Sequence, residues 1–270
     1  MTLRDTVDVT AVGCLAAATA VTVAAVALPA GAPPARRRAL LWTACGLSAT
    51  AGCTLLMDVL GLLFGQGVDS TLGAVVHALG LAGAVVLGAA ASRGRAAAPG
   101  PPGRWIAYTG VLSFLPYVAM KLNWALGGTF AGIGGGEVLE ASERNGASGP
   151  WLALERWGLD PTALLALAGI LLLFCLIRPW GLRLPRWLPL APALIGVGTL
   201  VPYGLPGLAY LVPAQLGALP VRPGDLPSRG DTLAVAWIGY TAFAGYGPAL
   251  LAATRWYWHA TRAAPVTGGP

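Results

Sequence analysis

The sequence predicts an all-α fold, an integral membrane bundle of seven transmembrane helices with the N-terminus outside and the C-terminus cytoplasmic. Of its 270 residues, 56% are hydrophobic and 10% are charged, whereas soluble domains carry about 25% charged residues. A single soluble core of this size cannot bury so much apolar surface. The apolar residues also fall into seven separate runs, with an asymmetric distribution of charge between them.

Each predicted span is a run of about 20 mainly apolar residues, the length that a helix needs to cross the hydrocarbon core. Segments rich in Pro and Gly at 29–34 and 99–103 follow the first and third runs, where they interrupt the helices. We predict one transmembrane domain over residues 1–270, with a long outer loop at about 127–159. The spans are predicted at about 8–29, 39–64, 71–92, 105–126, 160–180, 189–213 and 233–255.

The basic residues indicate the orientation, because Lys and Arg stay on the cytoplasmic side. The loops after the first, third and fifth spans, together with the C-terminal end, contain eleven Arg residues and no acid. The opposite side contains five Arg residues and ten of the eleven acids. All ten Trp residues lie near predicted span ends, where the indole N–H stays hydrated. We therefore place the Arg-rich loops inside.

The first span is predicted to be an uncleaved anchor rather than a signal peptide. Asp5 and Asp8 precede it, whereas a signal peptide has positive charge at that position. Arg supplies sixteen of the seventeen basic residues, and Ala, Gly and Pro are abundant, which is typical of a GC-rich bacterial genome. We therefore predict a multi-pass protein of a bacterial plasma membrane.

The sequence indicates no metal site, no cofactor and no nucleic-acid partner. Its four Cys residues lie in apolar runs without a CxxC pair, which favours neither a zinc site nor a disulfide framework. His77 and His259 lie near opposite surfaces, so they cannot bind one haem or metal ion. The predicted partners are the lipid bilayer and a small-molecule or lipid ligand, and protein partners are left open.

Three ionisable residues lie well inside predicted spans, where charged side chains are costly and usually functional. Asp58, His77 and Lys121 each lie five or six residues from an outer span end, about 8–9 Å below the boundary at a rise of about 1.5 Å per residue. We interpret them as a candidate catalytic acid/base cluster. Two alternatives stay open: a structural ion pair of Asp58 with Lys121, or a Lys121 side chain that extends to the outer surface.

Polar neighbours extend this cluster into a predicted pocket that faces outward. Thr50 and Thr54 precede Asp58 at four-residue intervals, and Tyr117 precedes Lys121 at the same interval. Residues four apart share a helix face, so both stripes should face the bundle interior. The predicted pocket residues are Tyr117, Asn123, Trp124, Tyr203 and Tyr240.

The sixth predicted span contains two Pro and two Gly residues within 201–207, which predicts a break or kink near mid-membrane. Carbonyl groups freed there must face protein or a wet cavity, as they do in transporters with broken helices. Packing alone is the alternative explanation.

The outer loop begins with the Gly-rich segment 127–136, which lacks the GK[ST] sequence of a phosphate loop and predicts flexibility at the pocket mouth. Glu137, Glu140 and Glu143 follow at helical spacing, which is typical of a solvated helix face. A cation site or a lid over the pocket is the alternative. Residues 151–157 predict a short interfacial helix.

The segment from Pro116 to Gly128 has the pattern Pro-Tyr-x3-Lys-x2-Trp-Ala-x-Gly-Gly. It resembles a motif of uncharacterised polytopic membrane proteins of GC-rich bacteria, and the likeness covers one helix and its exit. This resemblance implies no activity. Seven-helix membrane terpene cyclases are similar in size and span count, and they use intramembrane carboxylates as acids. A microbial retinal protein is disfavoured because the last predicted span contains no Lys.

We therefore expect a polytopic membrane protein that binds or moves a small molecule, lipid or ion in this pocket, with proton coupling through Asp58 and His77. One alternative is a membrane-embedded enzyme acting on an apolar substrate, with acid/base chemistry similar to that of the terpene cyclases. In it, Asp58 is the general acid or base, and Lys121 or His77 adjusts its pKa. A non-catalytic partner subunit is another alternative, so the sequence leaves open whether the chain is an enzyme.

Overall fold

The computed structural model describes residues 3–29, 31–68, 70–93, 104–221 and 224–263. Its fold is all-α, about 79% helical, with one short β-hairpin in the described part. The predicted breaker segment 99–103 lies outside the described residues. The hairpin pairs β1 (Thr129–Phe130) with β2 (Ile133–Gly134). The α-helices are α1 (Leu3–Val26), α2 (Pro34–Ala51), α3 (Leu55–Leu63), α4 (Thr71–Ser92), α5 (Arg104–Ala125), α6 (Gly135–Arg144), α7 (Gly149–Arg156), α8 (Pro161–Ile177), α9 (Trp187–Gln215) and α10 (Arg229–Ala263).

Several helices have the length and composition of membrane spans. Among the described residues, α1, α4, α5 and α9 qualify by themselves, and two bent pairs qualify together: α2 with α3 at 41° and α7 with α8 at 92°. These four to six candidates coincide with or overlap six of the predicted spans, so an all-α chain with several apolar helices of membrane length is confirmed. The seventh predicted span, 233–255, lies within the 35 residues of α10.

The chain divides into two compact units, where the sequence predicts one domain. Unit 1 comprises Met1–Leu63 and Gly67–Ala97, and unit 2 comprises Phe64–Gln66 and Ala98–Pro270. Unit 1 thus contains α1 to α4, and unit 2 contains α5 to α10 together with the hairpin.

In unit 1, small residues let α4 approach α2 at backbone distance. A Cβ atom at Gly80 would lie 2.7 Å from the Gly52 nitrogen, and one at Gly83 would lie 2.9 Å from Ser48 Oγ. Ser48 itself is buried, at 2% exposure. In lipid, burial of apolar side chains between two helices gains little free energy, because the lipid tails are equally apolar. Close van der Waals contact such as that between α2 and α4 then stabilises the packing.

In unit 2, aromatic residues of α5 and α10 pack against α8. Phe114 stacks on Tyr246 with ring centroids 4.1 Å apart. The Tyr246 hydroxyl donates to the Gly169 carbonyl at 2.6 Å, and the Tyr257 hydroxyl donates to the Gly181 carbonyl at 3.0 Å. Both tyrosines are almost completely buried, so their hydroxyls need protein partners. The first hydrogen bond joins α10 to α8, and the second joins α10 to the short 3-10 helix Gly181–Arg183 that follows α8.

The sixth predicted span is not broken, because α9 runs continuously from Trp187 to Gln215 with Pro192, Pro202, Pro206 and Pro213 in its interior. The alternative expectation, a kink, stays a prediction. Its glycines provide close packing against α10 instead. A Cβ atom at Gly204 would lie 2.5 Å from a backbone nitrogen of α10, and one at Gly207 would overlap the Tyr240 ring. Close packing of α10 on α9 therefore occurs directly beside Pro202 and Pro206.

The Gly-rich start of the outer loop forms the β1–β2 hairpin. Its turn contains Ala131 and Gly132 at φ angles of 52° and 76°, a left-handed conformation that glycine adopts without steric cost. Glu137, Glu140 and Glu143 all occupy exposed positions on α6, as a solvated helix face requires. The predicted interfacial helix corresponds to α7.

Candidate functional site

In unit 1, three polar side chains form a continuous hydrogen-bonded chain at the break between α2 and α3. His77 Nδ1 lies 2.7 Å from Asp58 Oδ2, and His77 Nε2 lies 2.7 Å from Thr54 Oγ1. His77 is 5% exposed, and the Asp58 side chain is 13% exposed. We call Thr54, His77 and Asp58 the trio. A hydroxyl on one imidazole nitrogen and a carboxylate on the other is an arrangement that can activate a nucleophile or carry a proton.

The helix break positions both partners of His77. The axes of α2 and α3 differ by 41°, and the Thr54 carbonyl accepts from the Met57 N–H at 2.9 Å, so Thr54 lies at the start of α3. Asp58 then falls in the first turn of α3, one turn after Thr54 and on the same face. On α4, Gly80 lies one turn from His77, and its lack of a side chain allows the close approach.

The hydrogen bonds of His77 to Asp58 and Thr54 favour one tautomer of the ring. An ionised Asp58 can only accept, so His77 Nδ1 is the donor of that bond. In the neutral ring, Nε2 is then the acceptor for the Thr54 hydroxyl. Asp58 lies where the dipole of α3 stabilises negative charge. The carboxylate therefore orients the ring and would stabilise an imidazolium if Nε2 took up the Thr54 proton.

In unit 2, Lys121 forms an ion pair with Asp160. The Lys121 Nζ lies 3.3 Å from Asp160 Oδ2, and the two side chains are 21% and 7% exposed. The other carboxylate oxygen, Oδ1, accepts from the Thr162 N–H at 2.8 Å and the Ala163 N–H at 2.9 Å. Asp160 therefore caps the N-terminus of α8 and at the same time neutralises a cation of α5.

Tyr117 and Trp124 complete the surroundings of Lys121. The Tyr117 hydroxyl donates to Thr162 Oγ1 at 3.0 Å, and the Thr162 hydroxyl donates to Asp160 Oδ1. Lys121 Nζ also lies 5.7 Å from the centroid of the Trp124 ring, within the range of a cation–π contact. Both oxygens of Asp160 are engaged by this network, which ties α5 to α8.

The three ionisable residues of the predicted cluster fall in two units. Asp58 and His77 are in contact in unit 1, and Lys121 has Asp160 as its partner in unit 2. That all three meet in one pocket stays a prediction. The site residues predicted from the sequence omit Thr54 and Asp160. Thr54 carries the four-residue spacing to Asp58, and Asp160 stands directly before a Pro at a helix start, which is an N-cap signature.

Unit 2 also contains a cleft of about 410 Å³ beside α6 and α7. Trp124, Trp151, Ile133 and Val138 are its larger apolar lining residues. The polar lining residues are Gln66 after α3, Ser142 of α6, Asn145 directly after α6, and Asp225 in the loop before α10. The lining residues are Gln66, Trp124, Ile133, Val138, Ala141, Ser142, Asn145, Ala147, Trp151, Asp225 and Leu226.

Glu155 lies behind the cleft and orients two of its lining residues. Its Oε1 accepts from Ser142 Oγ at 3.1 Å and from Trp151 Nε1 at 2.8 Å. Its Oε2 is buried, with no hydrogen-bond partner among the residues that the structure describes. Glu155 itself is not among the residues that line the cleft.

Asp225 provides a second carboxylate, at the edge of the cleft. It accepts from Asn145 Nδ2 at 2.9 Å and from Arg144 Nη2 at 3.2 Å. The hydrogen bonds from Asn145 and Arg144 hold the pKa of the Asp225 carboxyl below its usual value. The loop before α10 is thereby tied to the C-terminal end of α6.

The other predicted pocket residues have partners elsewhere in unit 2. Asn123 Nδ2 donates to the Thr129 carbonyl at 3.1 Å. The rings of Tyr203 on α9 and Tyr240 on α10 lie 5.2 Å apart. Trp124 is the predicted pocket residue that lines the cleft described above. A single pocket that contains all of the predicted residues therefore stays a prediction.

The chain matches no protein-family profile, no curated protein and no solved structure. The features that bear on its function are the trio in unit 1 and the cleft in unit 2.

Proposed function

We propose that this chain is a seven-span protein of a bacterial plasma membrane, with its N-terminus outside and its C-terminus in the cytoplasm. The four single helices and the two bent pairs account for six spans, and α10 supplies the seventh. With 35 residues, α10 is about 52 Å long, well beyond the hydrocarbon thickness of about 30 Å. Because α7 turns by 92° from α8, α8 crosses the bilayer and α7 lies along the outer surface.

Fusions to two reporters test this topology. Alkaline phosphatase is active only outside the cytoplasm, and green fluorescent protein fluoresces only inside it. We expect phosphatase activity for a fusion after Asn145, none for a fusion after Pro33, and fluorescence for a fusion at the C-terminus. Phosphatase activity at the C-terminus would contradict the orientation.

For function, we propose that the protein binds or moves an amphipathic small molecule that carries positive charge, taken up at the cleft of unit 2. The observation that carries this proposal is the combination of two indole rings with the carboxylates of Asp225 and Glu155. A volume of about 410 Å³ is in the range of small-molecule sites, which combine apolar walls with a few oriented polar groups.

The chemistry of the cleft favours an organic cation over an anion. Indole faces attract cations through the ring quadrupole. Asp225 is the charged residue in the lining, and the nearby Glu155 oxygen lacks a partner within the described residues. A bare inorganic ion makes no use of the apolar surface, whereas an amine attached to an apolar group uses both features.

Binding of three small probes to the protein in lipid nanodiscs tests this proposal. Benzyltrimethylammonium is the cation, benzyl alcohol the neutral analogue and benzoate the anion, each followed by saturation-transfer NMR. Ala147→Trp fills the cleft from a lining position, whereas Ala153→Trp adds the same ring at an exposed position of α7 outside the lining. We expect saturable binding of the cation that Ala147→Trp abolishes and Ala153→Trp preserves.

Two results would contradict the proposal. One is equal binding of the cation by both tryptophan variants, which would place the probe outside the cleft. The other is binding of benzoate as tight as that of the cation, which would show that the carboxylates do not select the charge of the ligand.

A further inference from the structure

Thr54 uses its hydroxyl differently from other threonines of the apolar helices. Thr50, one turn earlier, donates to the Gly46 carbonyl four residues back at 3.0 Å, which is the ordinary way to satisfy a hydroxyl on a helix in lipid. The Thr54 hydroxyl instead lies 2.7 Å from His77 Nε2. The same four-residue pattern as in Thr50 occurs in Thr19, Thr22, Thr43, Thr199 and Thr254.

Thr54 and His77 differ in exposure. Thr54 is partly exposed, whereas His77 is 5% exposed. A buried base beside a partly exposed residue that carries the hydroxyl suits a nucleophile that meets a substrate while its base keeps one tautomer.

We propose that Thr54 is a nucleophile activated by His77, with Asp58 as the positioning residue, and that unit 1 carries an acyl-transfer site for esters dissolved in the membrane. This proposal rests on the geometry of the trio and is independent of ligand binding at the cleft of unit 2.

The reaction balances without a cofactor. Thr54 Oγ attacks the ester carbonyl carbon while its proton moves to His77 Nε2, and Asp58 stabilises the resulting imidazolium. The tetrahedral adduct collapses, the bond to the alcohol oxygen breaks, and the alcohol leaves with the proton from Nε2. The acyl group is then an ester of Thr54. Water or a second alcohol attacks it by the same route in reverse, releases the acid or the new ester, and restores the Thr54 hydroxyl.

The location of Thr54 indicates an apolar acyl chain. It lies nine residues before the last residue of α3, Leu63, which is about 13 Å along the helix at about 1.5 Å per residue. Nearby on α3, Met57 and Leu62 are 50% and 63% exposed and present apolar surface. Because that depth is hydrocarbon, a lipid-soluble ester can reach Thr54 from within the bilayer.

A long-chain alkyl fluorophosphonate tests the proposal on the whole protein in nanodiscs. The Thr54 oxygen would bond to phosphorus as the P–F bond breaks and fluoride leaves, and the proton would pass through His77 to water. Intact mass and peptide mapping then locate the adduct. We expect one adduct, on Thr54, formed about 10³-fold faster in the wild type than in His77→Gln.

Matched variants separate the nucleophile from a structural hydroxyl. Thr54→Val removes the hydroxyl with little change in shape and should abolish the adduct, whereas Thr50→Val removes the neighbouring hydroxyl and should leave the labelling rate unchanged. Thr54→Ser keeps the hydroxyl and should be labelled, which keeps the test decisive if Thr54→Val does not fold. Circular dichroism and gel filtration report folding of each variant.

The role of Asp58 is tested by rescue with a conservative variant. Asp58→Asn presents an amide that favours the wrong tautomer of His77, so the labelling rate should fall by about 100-fold or more. Asp58→Glu restores the carboxylate and should recover most of that loss. A folded wild-type protein without an adduct, an adduct on another residue, or equal labelling of Asp58→Asn and Asp58→Glu would overturn the proposal. Labelling of Thr54 needs no cation, and cation binding is followed separately by NMR, so failure of the cleft and failure of the trio are distinguishable.

Discussion

The ion pair between Lys121 and Asp160 should make a large and strongly coupled contribution to the stability of unit 2. Lys121→Met keeps the length of the side chain but leaves a carboxylate that is 7% exposed without its cation. Removing one partner of a buried pair costs about 3–5 kcal/mol. Because the Lys121 side chain is 21% exposed, we expect the lower end, about 3 kcal/mol, or roughly a 150-fold change in the unfolding equilibrium.

The partner substitutions separate charge from helix capping. Asp160→Asn retains an oxygen that accepts from the Thr162 and Ala163 N–H groups, but it leaves the Lys121 ammonium without its anion. It should therefore lower the free energy of unfolding about as much as Lys121→Met. Asp160→Ala also removes the cap and should cost about 1 kcal/mol more. The double variant Lys121→Met with Asp160→Asn buries no charge, and it should be more stable than the sum of the single effects by at least about 2 kcal/mol.

Reversible unfolding of the protein in mixed micelles by sodium dodecyl sulfate, followed by far-ultraviolet circular dichroism, measures these differences. The exposed pair of Arg156 with Glu143, at 2.8 Å and with side chains 60% and 44% exposed, is the control. Glu143→Gln should change stability by less than about 1 kcal/mol. Additive effects of Lys121→Met and Asp160→Asn would refute the reasoning, because they would show that the two charges do not compensate each other.

Three further results are expected. Gly80→Ala should destabilise unit 1 by about 1–3 kcal/mol because the added methyl group meets the Gly52 backbone. Gly13→Ala is the control, because a Cβ atom at Gly13 has no neighbour within 4 Å, and it should leave stability unchanged. Chemical unfolding of the two variants measures the difference. Gly204→Ala should destabilise unit 2 for the same steric reason against α10, measured in the same way. The pKa of the Asp225 carboxyl is lowered from an ordinary value of 3.8. Its hydrogen bonds therefore stabilise the loop fully above pH 3.8, and this stabilisation is lost as the pH falls through the pKa of the folded state. Hydrogen exchange of the amides of residues 224–228 should accelerate in that acidic range in the wild type but not in Asp225→Asn.

The parts of the fold that can be predicted are those set by length and composition. An apolar helix must satisfy its own backbone in lipid, so α1, α4, α5 and α9 follow directly from the apolar runs. The break between α2 and α3 cannot be predicted in this way, because a single Gly within an apolar run is common in membrane helices. It arises where α4 approaches the backbone of α2 at Gly80, and such a tertiary contact leaves no local pattern.

In the sixth span the sequence predicts more disruption of the helix than the structure shows. Two Pro and two Gly residues lie close together in the sixth span, where the sequence predicts a break or kink. The helix is not broken there, and α10 packs directly on Gly204 and Gly207. The same residues that weaken an isolated helix allow a neighbour close enough to support it. Local propensity alone therefore cannot distinguish a broken helix from a closely packed one.

In the candidate sites, too, the sequence predicts which residues share a helix face but not which helices are in contact. Helical spacing in the sequence puts Thr54 on the face of Asp58, and distance from the span ends puts Asp58 and His77 at one depth. Depth is only one coordinate, however, and it does not say which helices are neighbours. Lys121 has the same expected depth, but its partner is Asp160, a cap residue at the start of α8. Nothing within a single helix specifies that choice.

The two buried carboxylates differ in what they leave free for chemistry. Asp160 is engaged at both oxygens, by a cap and by an ammonium group. Asp58 binds the imidazole of His77, and the second imidazole nitrogen lies 2.7 Å from the Thr54 hydroxyl. A carboxylate that supports a titratable base can assist bond making, whereas one that neutralises a lysine can only hold helices together. Reactivity should therefore be sought at the trio of unit 1, and ligand recognition at the cleft of unit 2.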